Sequence, residues 1–578
     1  MDSPIDTPPR LLKGIPAAPG LASGPPFLLE EEHLEIPRRS GQDPAVERGR
    51  LDEAVRAIQT SLEALRERIE GEASSQEAAI FEAHAMILLD PSLHGRARKA
   101  IEGGLNAEAA WMDGVEFFAG QLAGLPDPTL SARAADVRDV GRRVLRMLLG
   151  LGDAAGPSLA EPSVILARDL APSQTAGMER GKVLAFCTAE GGPTSHTAIL
   201  ARALGLPAVV GLGPGLLKGP FGRQILVDGD TGEVTFCPDD DACQSFEERA
   251  QGARRQALEE RQAAGAPVVT SDGRAVEIVA NVGSPEDARG ALAFGAEGIG
   301  LLRTEFLYLD RRTAPAEDEQ VAAYRAILEP MGGRPVVART LDVGGDKPLP
   351  YLDLGHEANP FLGWRGLRMC LERPEVFLVQ LRALLRAGAG HDLRIMFPMV
   401  ATLEEVQRAR TMLDQARAAL REAGLPAAEA PQVGIMVEVP SAALMADRLA
   451  PHVDFFSIGT NDLTQYTLAA DRTNDRVAHL TDALHPSVLR LIRQVVEAAH
   501  AHGRWAGVCG ELAGDPQGAV LLLGLGVDEL SMAAPLIPRV KSVLRRWSAA
   551  GARRLAEQAL DQDSAAAVRA LVRKAQPA

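Results

Sequence analysis

A multidomain α/β protein with a C-terminal (β/α)8 TIM barrel is the fold class that the sequence predicts, and three observations support it. The chain has 578 residues, which are too many to pack around a single hydrophobic core. Helical apolar periodicity dominates residues 44–150. Beyond residue 267, eight β-rich runs alternate with helix-prone stretches. A doubly wound sheet would give the same alternation and stays open as the alternative.

The helical segment contains a regular apolar seam. Its members alternate steps of four and three residues: Leu51, Val55, Ile58, Leu62, Leu65 and Ile69. That spacing places them on one face of a single helix. We interpret the seam as the core of a helix bundle rather than as a binding groove.

A compact α/β unit is predicted after the helical segment. Four short β-rich runs are separated by Gly/Pro turns: Val164–Ala167, Val183–Phe186, Val209–Gly211 and Ile225–Asp230. Residues 239–265 are polar and helix-prone, which indicates a solvated connecting helix.

The barrel prediction rests on eight runs rich in β-branched and other apolar residues. They are Val276–Val282, Gly298–Leu302, Val336–Arg339, Leu393–Phe397, Val433–Val437, Asp454–Ile458, Trp505–Val508 and Glu529–Met532. Eight strands over about 300 residues match the size of this fold.

Composition narrows the function classes. The net charge of −16 disfavours nucleic acid as a ligand and leaves room for a basic protein partner or a metal-bridged anion. Five scattered cysteines without a CxxC pair argue against both a disulfide framework and a zinc site. The sequence has no secretory leader pattern and no apolar stretch near the ~18 residues of a membrane span, so a cytoplasmic location is expected.

His196 lies in the run 191–197, where two glycines and two hydroxyl residues precede the histidine. The residues that follow predict a helix, so the imidazole would lie in the first turn, where free N–H groups and the helix dipole attract an anion. The same field disfavours the imidazolium ion, which keeps the ring neutral and able to attack phosphorus. A histidine that merely caps a helix is the alternative.

Polar residues follow the predicted barrel strands at their C-terminal ends. They are Arg303, Arg339, Lys347, Glu438, Asn461, Asp462, Arg472, Cys509 and Glu511. In a parallel barrel those ends meet at one mouth, where active sites lie. Arginine forks suit a carboxylate or a phosphate, so the mouth predicts a pocket for a polyanion.

Two residue types at this mouth suggest further chemistry. Glu438 and Asp462 are a sparse pair of oxygen ligands, which suits Mg²⁺ bound jointly by protein, water and a phosphorylated substrate. Cys509 is either a buried structural thiol or, facing the cations, a proton donor.

Two long motifs carry a family resemblance. Residues 191–197 resemble the phosphohistidine motif of the phosphoenolpyruvate (PEP)-utilising enzymes, and residues 454–466 resemble the signature of their barrel domain. From Gly14 to Asp515 the chain is similar to the enzyme I family of the bacterial phosphotransferase system. The resemblance implies four segments: a phosphohistidine domain (1–43 and 155–238), a helical HPr-binding subdomain (44–154), a linker helix (239–266) and a PEP-binding, dimerising barrel (267–578).

The resemblance also implies the activity. His196 would take the phosphoryl group from PEP and pass it to a histidine of the small carrier HPr. Thr175 would orient the imidazole by a hydrogen bond. Cys509 would protonate the enolate carbon to give pyruvate. His84, at the end of the segment 77–84, would be a docking or structural residue.

Ligand-binding roles follow from the same resemblance. The residues implied to hold PEP are Arg303, Arg339 and Arg472, with assistance from Lys347. Asn461 and Asp462 would contact the phosphate side, and Glu438 and Asp462 would bind Mg²⁺. A homodimer formed through the barrel is expected, as is a swing of the phosphohistidine domain about linkers near 155–162 and 232–266.

Rival functions make different demands on the chain. Pyruvate phosphate dikinase and PEP synthase share the histidine and barrel domains, but they need a nucleotide-binding region before the histidine. The 195 residues before His196 contain no Gly-rich nucleotide signature. A nitrogen-regulatory enzyme I would need an added sensory domain, and a regulator without catalysis would not need every key residue. Pro193 and Ser75–Gln76 depart from the residue types expected there.

Overall fold

The computed structural model describes residues 9–29, 34–41, 43–70, 84–124, 128–153, 159–171, 174–175, 178–192, 195–309, 311, 313–344, 349, 351, 357–472, 474 and 476–575. The chain divides into two compact units, residues 1–254 and 255–578. No described helix has the length and continuous apolar surface needed to cross a bilayer.

The first unit combines two small sheets with a helical insert. Its elements are β1 (Arg10–Lys13), β2 (Ile15–Ala18), β3 (Leu21–Gly24), β4 (Pro26–Leu29), α1 (Pro44–Glu70), α2 (Pro91–Glu102), α3 (Ala107–Ala123), α4 (Pro128–Leu148), β5 (Ser163–Ala167), β6 (Val183–Thr188), α5 (His196–Leu204), β7 (Ala208–Val210), β8 (Ile225–Asp228) and β9 (Glu233–Phe236). The sheet orders are β1-β9-β8-β3 and β2-β7-β6-β5-β4.

The position of strand β5 between two layers explains why its sequence is continuously apolar. Val164 packs into the core between the two sheets, whereas Ile165 packs toward α5. A strand covered on both faces has no polar side to present, so the alternating pattern disappears. The predicted strands and the helix after His196 are confirmed here.

Helices α1 to α4 of the insert, together with the helical residues 84–88, enclose a core of their own. Leu51, Val55, Ile58 and Leu62 of the predicted seam are buried in it, which confirms the bundle interpretation. The side chains of the remaining two seam residues lie outside the described part. At the centre, the Trp111 indole donates a hydrogen bond of 2.9 Å to the backbone carbonyl of Gly141.

His84 belongs to this core. Its side chain is fully buried, with Nε2 3.5 Å from Asp136 Oδ1 and Nδ1 3.9 Å from Asp139 Oδ2. This burial favours the structural alternative, because the His84 side chain offers no exposed surface for a partner to contact. The rest of the expected docking segment, residues 77–83, lies outside the described residues.

The predicted connecting helix is present as α6 (Asp240–Gln262). The division between the two units falls within it. Its first half is tied to the first unit, where Arg249 Nη2 lies 2.8 Å from Asp228 Oδ2.

The second unit is a barrel with added C-terminal helices. Its elements are β10 (Val268–Val269), β11 (Ala275–Val282), α7 (Pro285–Ala293), β12 (Ile299–Arg303), α8 (Glu317–Met331), β13 (Val336–Arg339), α9 (Leu367–Glu372), α10 (Pro374–Ala387), β14 (Leu393–Phe397), α11 (Leu403–Glu422), β15 (Gln432–Val437), α12 (Pro440–Leu444), α13 (Ala446–Leu449), β16 (Phe455–Ile458), α14 (Thr460–Leu468), α15 (Pro486–Ala501), β17 (Trp505–Val508), α16 (Pro516–Leu525), β18 (Glu529–Ala533), α17 (Ile537–Arg545), α18 (Ala549–Leu560) and α19 (Ala565–Ala575).

Strands β11 to β18 are all parallel to their neighbours, and β11 also pairs with β18. This last pairing closes the sheet, so the barrel prediction is confirmed and the doubly wound alternative is wrong. Every predicted run matches its strand to within about one residue, well inside the usual error of strand ends.

Apolar side chains fill the inside of the barrel. They are Leu301, Val337, Met396, Met436, Phe455 and Cys509. The Phe455 and Trp505 rings stack with centroids 4.5 Å apart. The interior is therefore a packed core, and ligands can enter only at its mouth.

Candidate active site

The mouth of the barrel brings together most of the polar residues that the sequence singles out. Each follows the end of a parallel strand or lies in the loop beyond it: Arg303, Arg339, Glu438, Asn461, Asp462, Arg472, Cys509 and Glu511. Lys347 lies outside the described residues, so its position stays a prediction.

Arg303, the last residue of β12, is an exposed cation at this mouth. It forms no hydrogen bond or ion pair with any described residue. The surrounding protein and the neighbouring charge of Arg339 lower its pKa. A side chain in a concave mouth can be surrounded by protein and still meet solvent, so Arg303 is open to an incoming anion.

Arg339 differs from Arg303 because it is buried and paired. Its Nη2 donates to Glu305 Oε1 at 3.0 Å, and its Nη1 lies 3.0 Å from Asp342 Oδ2. Burial alone would lower the pKa of this guanidinium, but the charges of Glu305 and Asp342 outweigh that effect and raise it. Arg339 is therefore a permanently charged group held in one orientation.

The structure adds Arg365, which sequence reasoning missed. Its Nη2 lies 3.0 Å from Asp342 Oδ2 and 3.3 Å from Asp462 Oδ2. Arg365 therefore links the buried carboxylate of Asp342, in the loop after β13, to that of Asp462, in the first turn of α14. It lies far from any strand end in sequence, so no pattern could have found it. Glu305 and Asp342 could have been found, since they lie two and three residues beyond strand-end arginines.

Glu438, just beyond β15, is buried and accepts a hydrogen bond of 2.6 Å from the Met399 backbone N–H. Burial, followed by the charges of Asp462 and Asp342, raises its pKa to about 8. A Cβ on Gly459 would lie only 3.0 Å from Glu438 Oε2, so this glycine leaves room beside the carboxylate.

Asp462 completes a carboxylate pair that fits a cation. Its buried Oδ1 has no hydrogen-bond partner, and Arg472 Nη2 lies 3.6 Å from this oxygen. Two buried carboxylates that repel each other, one with a free oxygen, are stabilised by a divalent ion. The described residues contain no cluster of three or more side-chain ligands, so such an ion would also need oxygens from water and substrate.

Cys509 lies directly after β17 and is buried. Its Sγ is 3.7 Å from the backbone carbonyl of Ile458. Burial raises the pKa of the thiol to about 11. The sulfur is consequently a protonated thiol at neutral pH, which is the form a proton donor requires.

Asn461 and Glu511 connect the start of α14 to the loop that follows β17. Asn461 Nδ2 donates to Glu511 Oε1 at 3.2 Å, and the Glu511 backbone N–H donates to Asn461 Oδ1 at 3.0 Å. This reciprocal pair holds the start of α14 against the loop that carries Cys509.

His196 lies in the first unit as the first residue of α5. Ser195 is the N-cap, and its Oγ accepts from the Ala198 N–H at 3.4 Å. The helix ends at Gly205, whose positive φ of 66° forms the C-cap. Thr175 lies in a short helical turn and its Oγ1 contacts the Ala171 carbonyl at 3.5 Å. The predicted placement of His196 in a first helical turn is confirmed.

Comparison with known proteins now identifies the family. Three family models match: the PEP-utilising enzyme N-terminal domain at residues 13–133, the mobile domain at 159–232 and the PEP-binding domain at 257–549. A phosphoenolpyruvate-protein phosphotransferase of Geobacillus stearothermophilus is 44% identical over 98% of this chain and 98% of its own length.

Proteins of the same name from two other bacteria are equally similar. The one from Bacillus sp. (strain S) is 44% identical over 98% of each chain, and the one from Enterococcus faecalis is 44% identical over 96% of this chain and 97% of its own. The chain therefore belongs to the phosphoenolpyruvate–protein phosphotransferase family of PEP-utilising enzymes.

Proposed function

We propose that this enzyme transfers the phosphoryl group of PEP to His196, releases pyruvate, and passes the phosphoryl group to a histidine of the carrier HPr. This is the first step of sugar uptake by the phosphotransferase system. The observation that carries the proposal is the barrel mouth, which combines an open cation, a fixed cation, a carboxylate pair and a protonated thiol.

PEP would bind through its two anionic groups. Arg303 and Arg472 are accessible cations, and Arg339 contributes a positive field without having to reorient. Lys347 and the Asn461 amide would assist these arginines in binding PEP. Phosphoryl transfer depends mainly on positioning and charge neutralisation, which these groups supply.

Glu438 and Asp462 would hold Mg²⁺ together with phosphate oxygens and water. When bound, the ion neutralises negative charge that develops on the phosphoryl oxygens. Asp462 also faces Arg365 and Arg472, so its carboxylate lies where cation and substrate would meet.

The chemical step uses two of the chain's own groups. A neutral His196 nitrogen attacks phosphorus while the bond from phosphorus to the enol oxygen breaks. The Cys509 thiol gives its proton to the terminal carbon of the enolate, which produces pyruvate, and solvent then returns a proton to the thiolate. Protonation at carbon makes the overall transfer strongly favourable and removes the need for ATP.

His196 suits its part because a phosphate on a residue of the first turn meets free backbone N–H groups and the positive end of the helix dipole. Thr175 would orient the ring. The segments 1–43 with 155–238, 44–154, 239–266 and 267–578 are proposed to be the phosphohistidine domain, the HPr-binding subdomain, the linker and the dimerising barrel. Five free cysteines agree with the proposed location in the reducing cytoplasm.

The decisive experiment incubates the full-length protein with Mg²⁺ and labelled PEP, with and without HPr. We expect an acid-labile, base-stable label on the protein that is absent from His196→Ala. Adding HPr should move the label to the carrier. A label acquired from ATP and not from PEP would contradict the proposal and indicate a dikinase.

A further inference from the structure

Arg569 on the C-terminal helix α19 binds carboxylates from two separate loops. Its Nε and Nη2 donate to the two oxygens of Asp482 at 3.1 Å each. Its Nη1 donates to Asp515 Oδ2 at 3.0 Å. All three guanidinium nitrogens of Arg569 therefore donate hydrogen bonds, although about a third of the side chain is exposed.

The two partners lie on the loops that carry site residues. Asp482 lies in the connection from α14 to α15, which also contains Arg472. Asp515 follows the turn Glu511–Gly514, which begins two residues after Cys509. Arg569 thus joins the loop that contains Arg472, a proposed PEP-binding residue, to the loop that contains the Cys509 thiol.

Each carboxylate is also fixed within its own loop. Asp482 Oδ1 accepts the Leu484 backbone N–H at 3.0 Å, and Asp515 Oδ1 caps α16 through the Gln517 N–H at 2.9 Å. A movement of either loop would consequently strain a hydrogen bond to Arg569.

A cavity of about 400 Å³ lies between these loops. Its walls include Asn461, Arg472, Asp482, Glu511, Asp515 and Arg569. Asn461 at the start of α14 is bonded to Glu511 of the Cys509 loop, and Arg569 joins Asp482, in the connection that follows α14, to Asp515. The Cys509 loop is therefore held at two points against α14 and the connection that follows it, and two points fix an angle as well as a distance.

We propose that Arg569 is a positioning residue that sets the Cys509 loop against the Arg472 loop, so that a bound enolate meets the thiol at the correct distance. The inference rests on the proposed function. Isolated ion pairs on a surface contribute little to stability. A guanidinium that binds one carboxylate through two nitrogens and a second carboxylate through the third nevertheless fixes how the two loops are placed relative to each other. Loss of these contacts should therefore reduce turnover more than stability.

The test compares Arg569→Ala, Asp482→Asn and the double variant in the full-length protein, with PEP, Mg²⁺ and HPr. We expect kcat to fall about tenfold in each single variant, since small misplacements of reacting groups are costly, while KM for PEP stays nearly constant. The double variant should be no slower than Arg569→Ala, because Arg569→Ala already removes the contact that Asp482→Asn weakens. Arg569→Lys should restore part of the rate.

Arg573→Ala is the matched control, because Arg573 lies one turn further along α19 and is exposed. It should match the wild type in kcat and in thermal midpoint. A rise in KM with unchanged kcat would mean that only the Arg472 loop had loosened, and it would overturn the inference. Additive losses in the double variant would do the same. If the wild type took no label from PEP, the proposed function itself would fail, whereas an active wild type with fully active variants refutes only the role of Arg569.

Discussion

Single residues at the mouth differ in whether their charge is already engaged. Arg303 has no described partner, whereas Arg339 and Arg365 are held by buried carboxylates. A free cation can gain a new hydrogen bond from substrate. A held cation contributes a fixed field and cannot move without stranding its partners.

This difference predicts opposite results for two substitutions. Arg303→Ala should raise KM for PEP by about tenfold or more, the usual effect of losing a hydrogen bond to a charged group, and should leave the thermal midpoint unchanged. Arg339→Ala should destabilise the protein by about 3–5 kcal/mol because it leaves Glu305 buried without its cation and leaves Asp342 with Arg365 alone. Steady-state kinetics and thermal unfolding measure the two effects. A large loss of stability in Arg303→Ala would contradict the assignment of that residue.

The thiol of Cys509 gives a second prediction at this scale. Since burial raises its pKa to about 11, the thiol keeps its proton across neutral and mildly alkaline pH, and its contribution to the rate should decline only as the pH approaches that value. Cys509→Ala should sharply slow pyruvate formation while substrate binding stays nearly normal. Cys370→Ala is the control, because Cys370 is equally buried but packs outside the barrel interior. Near-normal pyruvate formation in Cys509→Ala would remove the residue from the acid role.

Among the secondary-structure elements, the closing strands β11 and β18 carry an unusual pair. Glu277 lies directly opposite Glu529 in the parallel register. Burial and then the charge of Glu277 raise the pKa of Glu529 to about 8, although Arg394 counteracts this and Asp528 adds to it. The strand pairing that closes the barrel therefore buries the Glu529 carboxyl group, whose raised pKa favours its protonated form.

The sign of the resulting pH dependence follows from that raised pKa. The folded protein holds a proton that the unfolded chain releases above a pH of about 4.5, so this group lowers the free energy of unfolding progressively as the pH rises towards 8. Glu529→Gln should remove this dependence and raise the thermal midpoint more at pH 8 than at pH 5. Glu557→Gln, on the exposed face of α18, is the control. An equal effect of Glu529→Gln at both pH values would contradict the shifted pKa.

At the scale of the whole molecule, the relay depends on two units. His196 belongs to the first and the barrel mouth to the second. The proposed transfer requires them to meet for chemistry and part for delivery to HPr, which makes a domain movement part of the catalytic cycle.

A reversible cross-link between the two units tests that movement. Formed before substrate is added, the link should abolish either the labelling of His196 by PEP or the passage of label to HPr. Cleaving the link should restore both steps, and this is the control for chemical damage. Survival of both steps in fully cross-linked protein would show that no such movement is needed.

Local patterns were sufficient for the elements and for many site residues. The eight strand runs were placed to within about one residue because a strand buried on both faces needs an unbroken apolar run, and turn residues mark its ends. Arg303, Arg339, Glu438 and Cys509 could be predicted because the ends of parallel strands must converge. The helix that begins at His196 was predicted from the residues that follow it, 198–204.

The sequence by itself therefore determined the order of elements, the barrel alternation and many of the groups at its mouth. Tertiary structure alone decided that β11 closes against β18, that Arg365 joins Asp342 to Asp462, and that Arg569 joins two loops. The physical reason is distance along the chain. Periodicity and capping act over a few residues. The strand pairing and the ion pairs named here connect residues that are 23 to 252 positions apart in the sequence, and no local pattern signals them.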